Sequence, residues 1–367
     1  MSGPHAGFYV HYHGMGHKHR TEAILKHLSI PATVVTSRMD SLNWNGPTLS
    51  NVVGIECDNE ELNQEGLKRA ADVPCLHFAP LWSDNISNRV AKYTAWLADA
   101  KPDVMVVDVS AEISQLTRLS SIPQIVMRQH GDRSDPGHLH TYAAAHSLLA
   151  PFPQSMEDEI TPDWVREKTV YLHGFCRSKS GHSEIPSPSL TGQPTIVFMF
   201  GRGGTGEVHE RLRATAESLP AYRILVIGKE RDESHHRDPA NLHYLGWVNN
   251  APDYTASADV VVTAAGHNSV MELGYARAKF IAIAQPRPFN EQIRKVNVLH
   301  REQLAIGLEQ WPDDANWPEL IHRARRLDPS KWDDVFKEDG AKQAADHIHR
   351  VALWSSEKRQ RSARISL

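Results

Sequence analysis

The sequence predicts an α/β protein built from two doubly wound, Rossmann-like domains. Three observations carry this. Short apolar runs alternate with amphipathic stretches, the order of βαβ units around a parallel sheet. The alternation restarts at Thr195, after a polar stretch rich in Ser, Pro and Gly. A chain of 367 residues is also too long for one core at roughly 100–200 residues per domain.

The elements follow in order. Phe8–His11 reads as a strand end, followed by a glycine turn and a helix near Thr21–Leu28. Ala32–Thr36 is the next strand. Lys92–Ala100 is helical, and Pro102 opens the buried strand Val104–Val107. Ile122–Met127 is a further strand, and the Pro-rich passage Ala150–Pro153 is where the first domain begins to hand over. In the second half Thr195–Phe200 is a strand, Gly201–Gly206 a glycine loop and Val208–Ser218 a helix. Strands are expected at Arg223–Ile227, Leu242–Leu245, Asp259–Thr263 and Phe280–Ala284, with helices at Asp253–Ala258 and Ser269–Ala276. Gly340–Ser356 has Ala344, Ile348, Val351 and Ala352 at helical spacing, and the basic Lys358–Arg364 beyond it is expected to fray. The expected division is a first domain at 1–177, a linker at 178–193, a second domain at 194–327 and a returning helix with a basic tail at 328–367.

Composition narrows the function. Lys and Arg number 40 against 44 Asp and Glu, a net charge of −4, so no nucleic-acid partner is expected. No apolar run approaches the ~18 residues of a membrane span. The opening residues lack the basic and apolar regions of a signal peptide. Cys57, Cys75 and Cys176 are scattered and odd in number, which indicates neither a disulfide framework nor a zinc knuckle. A cytoplasmic setting is expected.

Three strand–turn–helix motifs carry chemistry. The first is His13-Gly14-Met15-Gly16-His17-Lys18-His19-Arg20. Its glycines permit a sharp turn, and the following helix offers free N–H groups. His19 occupies the third glycine position of a dinucleotide fingerprint, and no acid ends the next strand, so that reading fails. His17 is an imidazole able to take a proton near neutrality; the alternative is a tight turn with solvated histidines. The second motif, Gly201-Arg202-Gly203-Gly204-Thr205-Gly206, satisfies G-x-G-x-x-G, but the next strand ends in Gly228-Lys229 rather than an acid. A phosphate loop fits better than a nicotinamide site, because Arg202 and Lys229 add positive charge. The third is Gly266-His267-Asn268-Ser269-Val270-Met271-Glu272. Either Ser269 and Glu272 form a capping box, or Ser269 faces a phosphate and Glu272 accepts ribose hydroxyls; spacing leaves both open.

Gly266-x-x-Ser269-x-x-Glu272 after such a strand, with Pro286-Arg287-Pro288-Phe289-Asn290-Glu291-Gln292 after the next, resembles glycosyltransferase family 28, the MurG-like enzymes. The similarity runs from about Thr195 to Leu308. Gly14, Gly16, His17 and Arg20, as G-x-G-H-x-x-R, resemble the amino-terminal loop of the same superfamily and of related nucleotide-sugar hydrolases. The resemblance implies the GT-B architecture, two Rossmann-like domains facing across a cleft, with a carboxy-terminal helix returning to the first. It implies that Glu272 binds ribose, that Gly266, His267, Asn268 and Ser269 hold the diphosphate, and that Gly201, Arg202, Gly203 and Gly204 line its phosphate side. Val248 would present its backbone to the base, and Glu291 and Gln292 would read the sugar. His267 and Asn268 depart from the small residues common there, and Arg287 adds a charge near the sugar.

The expected activity is therefore inverting transfer of a sugar from a nucleoside-diphosphate sugar, UDP-linked by family habit, to an acceptor hydroxyl. No Asp-x-Asp metal motif is present, so neither metal nor cofactor is expected. His17 is the first candidate for the base. Asp108, His130 and Asp132 are rivals, because carboxyl ends of parallel strands face the ligand. His138, His140 and His146 are irregularly spaced and are not expected to ligate metal. Leu42-Asn43-Trp44, Leu81-Trp82 and the basic tail are candidates for a peripheral contact at the inner membrane face. A nucleotide-sugar hydrolase or epimerase is the alternative, and an NAD-dependent oxidoreductase the second.

Overall fold

The computed structural model describes residues 3–12, 15–37, 43–176, 192–200, 208–231 and 238–365. Gly14, the loop Gly201–Gly206 and most of the expected linker lie outside the described residues. The chain divides into two compact units. The first comprises Met1–Gln154, Glu159–Arg177 and Glu338–Leu367; the second comprises Ser155–Asp158 and Ser178–Lys337.

The first unit is a parallel sheet of β1 (Ala6–Val10), β2 (Ala32–Thr36), β3 (Leu49–Gly54), β4 (Val104–Asp108), β5 (Gln124–Met127), β6 (Ser147–Ala150) and β7 (Thr169–Tyr171). Their spatial order is β3-β2-β1-β4-β5-β6-β7. β1, β2 and β4 are buried along their whole length, as central strands of a covered parallel sheet must be. Its helices are α1 (Met15–Leu25), α2 (Gln64–Leu67), α3 (Asp84–Ala100), α4 (Ala111–Leu119), α5 (Pro136–Ala144) and α6 (Asp163–Glu167). Four begin on side-chain caps, which satisfy N–H groups that a helix leaves open; in α2 Asn63 accepts from Glu65 N and Gly66 N. Ser83 accepts from Ile86 N, Ser110 from Ile113 N, and Asp135 from His138 N with Pro136 opening the turn.

The second unit has β8 (Thr195–Met199), β9 (Arg223–Ile227), β10 (Leu242–Gly246), β11 (Val260–Ala264), β12 (Phe280–Ile283) and β13 (Ile306–Leu308), in the order β10-β9-β8-β11-β12-β13. All of its strand pairs are parallel. Its helices are α7 (His209–Ser218), α8 (Ala251–Ser257), α9 (His267–Tyr275), α10 (Glu291–Arg301), α11 (Trp317–Arg325) and α12 (Trp332–Val335).

The last helix, α13 (Gly340–Ile365), returns to the first unit. Ala344, Ala345, Ile348, Val351 and Ala352 share one core with β1 and β4. The expected fraying of its basic end is corrected. The helix runs on to Ile365, and the Arg359 guanidinium donates to the carbonyls of Lys101 and Pro102, which anchors that turn.

In each sheet the order reverses once, between β1 and β4 and between β8 and β11. Ligands of doubly wound folds bind at the carboxyl ends of strands beside that reversal.

Candidate active site

At the reversal of the first sheet, β1 leads into α1 and β4 ends on Asp108. His17 falls in the first turn of α1, and Arg20 one turn later on the same face. The helix begins at Met15, six residues earlier than its apolar pattern suggests, so His17 is fixed by a helix rather than by a loop. Its Nδ1 lies 2.8 Å from Asp108 Oδ2. Nη2 of Arg20 donates to both Asp108 oxygens, at 2.6 and 2.8 Å. The Asp108 and Arg20 side chains are 4% and 5% exposed, against 15% for His17, so only the imidazole reaches the surface.

Burial opposes ionisation of Asp108, but the Arg20 guanidinium and His17 outweigh it and hold the carboxyl well below the usual carboxylate range. An ionised carboxylate only accepts, so Nδ1 of His17 carries a hydrogen and Nε2 is the ring nitrogen that the pair leaves uncommitted to Asp108. The Arg20 nitrogen also lies 3.1 Å from Nδ1, but both atoms already donate to Asp108. Asp108, expected as a rival base, is thus placed as the partner that orients His17.

The other rivals lie after β5. His130 is buried, with its ring centroid 4.1 Å from that of Phe152; Asp132 is half-buried. Nearby, a cluster that no sequence spacing announces joins His77, Asp135 and His138. His77 Nε2 is 2.8 Å from Asp135 Oδ1, and His138 Nδ1 is 2.5 Å from Asp135 Oδ2. These three residues have the donor set of a metal site. Arg133 Nη1, however, lies 2.8 Å from the outer His138 nitrogen. Metal-bound imidazoles present an N–H to an acceptor there, whereas arginine supplies a donor. The contacts instead describe a hydrogen-bonded clasp. Burial and Arg133 push the His138 pKa down to about 4, in keeping with a neutral ring. With Glu112, which accepts from the backbone N–H groups of His77 and Phe78, the clasp ties the segment before α3 to α4 and α5.

At the reversal of the second sheet, β11 leads through Ala265 and Gly266 into α9. Gly266 is the N-cap, with no side-chain cap, and His267 opens the helix. Ser269 is therefore inside the first turn, and the capping box is excluded. A side chain at Gly266 would meet nothing within 4 Å, so the backbone is open to close approach. His267, Asn268 and Ser269 are half-buried and Glu272 is exposed. A cavity of about 240 Å³ opens at the carboxyl ends of β8, β11 and β12, lined among others by Phe200, Arg211, Thr263, Ala264 and Gln285 and by none of the four residues of α9 just named. A larger depression of about 570 Å³ lies at the opposite, amino edge of the sheet, around Thr195 and Arg223, away from the reversal.

Val248 follows β10 and packs against Val197, Leu225 and Ile227. Phe289 and Asn290 both have left-handed backbone, at φ 57° and 51°, and turn the chain into α10 at Glu291. Strained non-glycine turns of this kind concentrate at functional sites. Gln292 is buried, and its Oε1 accepts from the N–H groups of Ala265 and Gln285, at 3.1 and 3.0 Å. Its oxygen thus holds the ends of β11 and β12 together, a role that sequence reading missed.

Residues 191–348 match the model of the glycosyltransferase family 28 C-terminal domain. No curated protein sequence matches the chain. Among solved structures, the glycotransferase of kitacinnamycin superposes with a TM-score of 0.69 at 15% identity, over 96% of this chain and 100% of that one. Acinetobacter baumannii MurG gives 0.66 at 14% identity, over 95% and 99%. The spinosyn rhamnosyltransferase SpnG, complexed with thymidine diphosphate, gives 0.59 at 15% identity, over 97% and 100%. The two parallel sheets, the returning helix and the matched domain define a glycosyltransferase of the GT-B fold. Its carboxy-terminal domain resembles family 28, the MurG-like group.

Proposed function

We propose that the chain transfers a sugar from a nucleoside-diphosphate sugar to an acceptor hydroxyl, with inversion and without a metal ion. The observation that carries this reading is the His17–Asp108–Arg20 constellation at the sheet reversal. His17 Nε2 takes the acceptor proton while the acceptor oxygen attacks the anomeric carbon, and Asp108 stabilises the imidazolium that forms. The second unit holds the donor. The open N–H groups of α9 at Gly266–Ser269 face the diphosphate, and Glu272 takes the ribose hydroxyls. Glu291 faces the sugar. Positive charge and helix N–H groups stabilise the leaving diphosphate in place of a divalent cation.

The bound thymidine diphosphate of SpnG supports a nucleoside-diphosphate donor and leaves thymidine and uridine both open for this chain. The exposed side chains of Leu81 and Trp82 support a peripheral contact with an apolar acceptor or a membrane surface. No described helix is long and apolar enough to cross a membrane.

The test is a thermal-shift panel with UDP, TDP, GDP, CDP and NAD, each with and without magnesium. A ligand that binds only the folded state raises its stability as RT ln(1 + [L]/Kd). Stabilisation by one diphosphate, indifferent to magnesium, is expected. Stabilisation by NAD alone overturns the reading. Release of free sugar from the matching donor, equally fast with no acceptor present, would instead mean hydrolysis.

A further inference from the structure

Both polar contacts of the His17 ring among the described residues, with Asp108 and Arg20, fall on Nδ1. One anchored atom fixes a point of the ring and leaves its plane free to swing about that point. Nε2 therefore needs a second constraint if it is to face one direction. His11 stands where that constraint is required. Its ring centroid lies 5.8 Å from that of His17, with the two planes inclined at 51°. His11 and Tyr12 follow β1, and their rings stack, 4.8 Å apart at the centroids and 16° apart in plane. Neighbouring residues of a strand point to opposite faces, so the stack marks the chain's departure from β1 toward α1. Tyr12 is held from another strand end. Its hydroxyl donates to Asp58 Oδ1, beyond β3, at 2.8 Å. Asp58 Oδ2 lies 3.4 Å from the guanidinium of Arg89, a side chain only 6% exposed. Arg89 comes from α3 and donates to the Tyr9 hydroxyl at 2.6 Å, to Ser37 Oγ at 2.8 Å and to the Glu56 carbonyl. It joins β1 to the residues that follow β2 and β3. A line of contacts thus runs from this buried cation through Asp58, Tyr12 and His11 to the His17 ring.

We propose that Tyr12 is a positioning residue for the base. Tethered to Asp58, it backs the His11 ring, and His11 limits the swing of His17 so that Nε2 is presented in one direction. The inference rests on the reading of His17 as the base and deepens it to two residues outside the glycine motif. The hydroxyl of Tyr12 serves the tether, and its flat ring serves the stack. His11 acts on His17 through the shape of its ring, so another flat ring does the same work at that position.

The test needs no substrate. The full chain, with isotope-labelled histidine rings, is observed by NMR, and the Nδ1–H signal that His17→Gln removes belongs to His17. Its exchange with water reports how often the ring leaves Asp108. The Nδ1–H of His138, directed at Asp135 in the same unit, is the control. Tyr12→Phe keeps the ring and loses the tether. Exchange at His17 should then speed up about 3- to 30-fold, while the His138 signal and the Tm stay as in the wild type. His11→Ala should speed it as much, and His11→Phe should stay within about twofold of the wild type. The double variant of Tyr12→Phe and His11→Ala should exchange no faster than the faster single one, because both act through one contact. Unchanged exchange in folded Tyr12→Phe and His11→Ala would overturn the inference and leave the His17–Asp108 pair in place. So would equal acceleration at His17 and His138, or His11→Phe as fast as His11→Ala. A wild type with no Nδ1–H signal from His17 would bring down the pair on which the base reading rests, and the inference with it.

Discussion

His17 Nδ1 lies 2.8 Å from Asp108 Oδ2, across 91 positions of sequence. The strand order of the first sheet makes this contact. β1 and β4 are neighbours, so the helix that follows one meets the end of the other. Arg20 completes the arrangement by donating to both Asp108 oxygens, and the buried carboxylate fixes the orientation of the ring that reaches the surface.

His17→Ala should lower kcat by about 10²–10⁴-fold and leave diphosphate affinity within about twofold. Asp108→Asn should lower kcat by a comparable factor, because an amide no longer dictates which ring nitrogen carries the hydrogen. It should also cost about 3–5 kcal/mol of stability, since Arg20 remains buried without its carboxylate. Steady-state kinetics well below the melting temperature separates the two effects. A lower Tm with unchanged kcat would reduce the dyad to a packing feature.

Acid should unfold the first unit in two stages. Burial pushes the His347 pKa down to about 4, with Arg350 and His146 adding to the effect; the ring lies on α13 and contacts Ser147 Oγ at 2.8 Å. Its folded value lies below the ~6.5 of an unfolded chain, so its stabilisation is full above that pH and is lost as pH falls toward 4. The loss at pH 5 is about 1–2 kcal/mol. His138, also pushed down to about 4, follows the same sign. Asp108 acts later. Its folded pKa is depressed below an unfolded value of about 3.9, so its contribution is lost only as pH drops under that value. In calorimetric scans His347→Gln should flatten part of the fall in Tm between pH 6.5 and 5 and leave the steeper fall below pH 4.

What the sequence shows and hides follows from where the physics is local. β2 is legible to the residue because five apolar or β-branched residues sit between a proline and a polar turn. β3 is not, because Ser50 and Asn51 lie exposed on an edge strand and its apolar run is short. The three-residue β7 and β13 are too brief to leave a periodic trace. At the site, His17 and the Gly266–Glu272 turn are local motifs and stand out. The contacts of Asp108 with His17, of Gln292 with Ala265 and of Lys295 with His267 depend on strand order and helix packing, which spacing along the chain does not encode. The His77–Asp135–His138 clasp is hidden for the same reason, joining residues 58 positions apart.

Gly274→Ala should destabilise the second unit by about 1–3 kcal/mol without altering ligand chemistry. A Cβ at Gly274 would stand 2.2 Å from the Trp332 ring. That ring is 1% exposed, and its Nε1 donates to the Leu304 carbonyl at 3.0 Å, so it has no room to retreat. Urea unfolding followed by tryptophan fluorescence gives the shift in midpoint, and an unchanged midpoint would mean that α9 and α12 adjust freely.

Gln292 distinguishes reading a sugar from holding a site together. Its buried Oε1 joins the N–H groups of Ala265, before α9, and Gln285, after β12. Gln292→Met leaves both donors without that acceptor and should cost about 2–4 kcal/mol, whereas Gln292→Glu keeps an acceptor oxygen and should cost less. The two roles differ in how ligands respond. A side chain that contacts the sugar hydroxyls would, when removed, weaken an intact nucleotide sugar more than the bare diphosphate. A side chain that positions the α9 turn would weaken both equally, because both share the diphosphate. The two backbone bonds predict the second outcome, with equal losses by calorimetry for diphosphate and intact donor in Gln292→Met. A loss confined to the intact donor would return Gln292 to the sugar-reading role and leave that selectivity to its amide nitrogen.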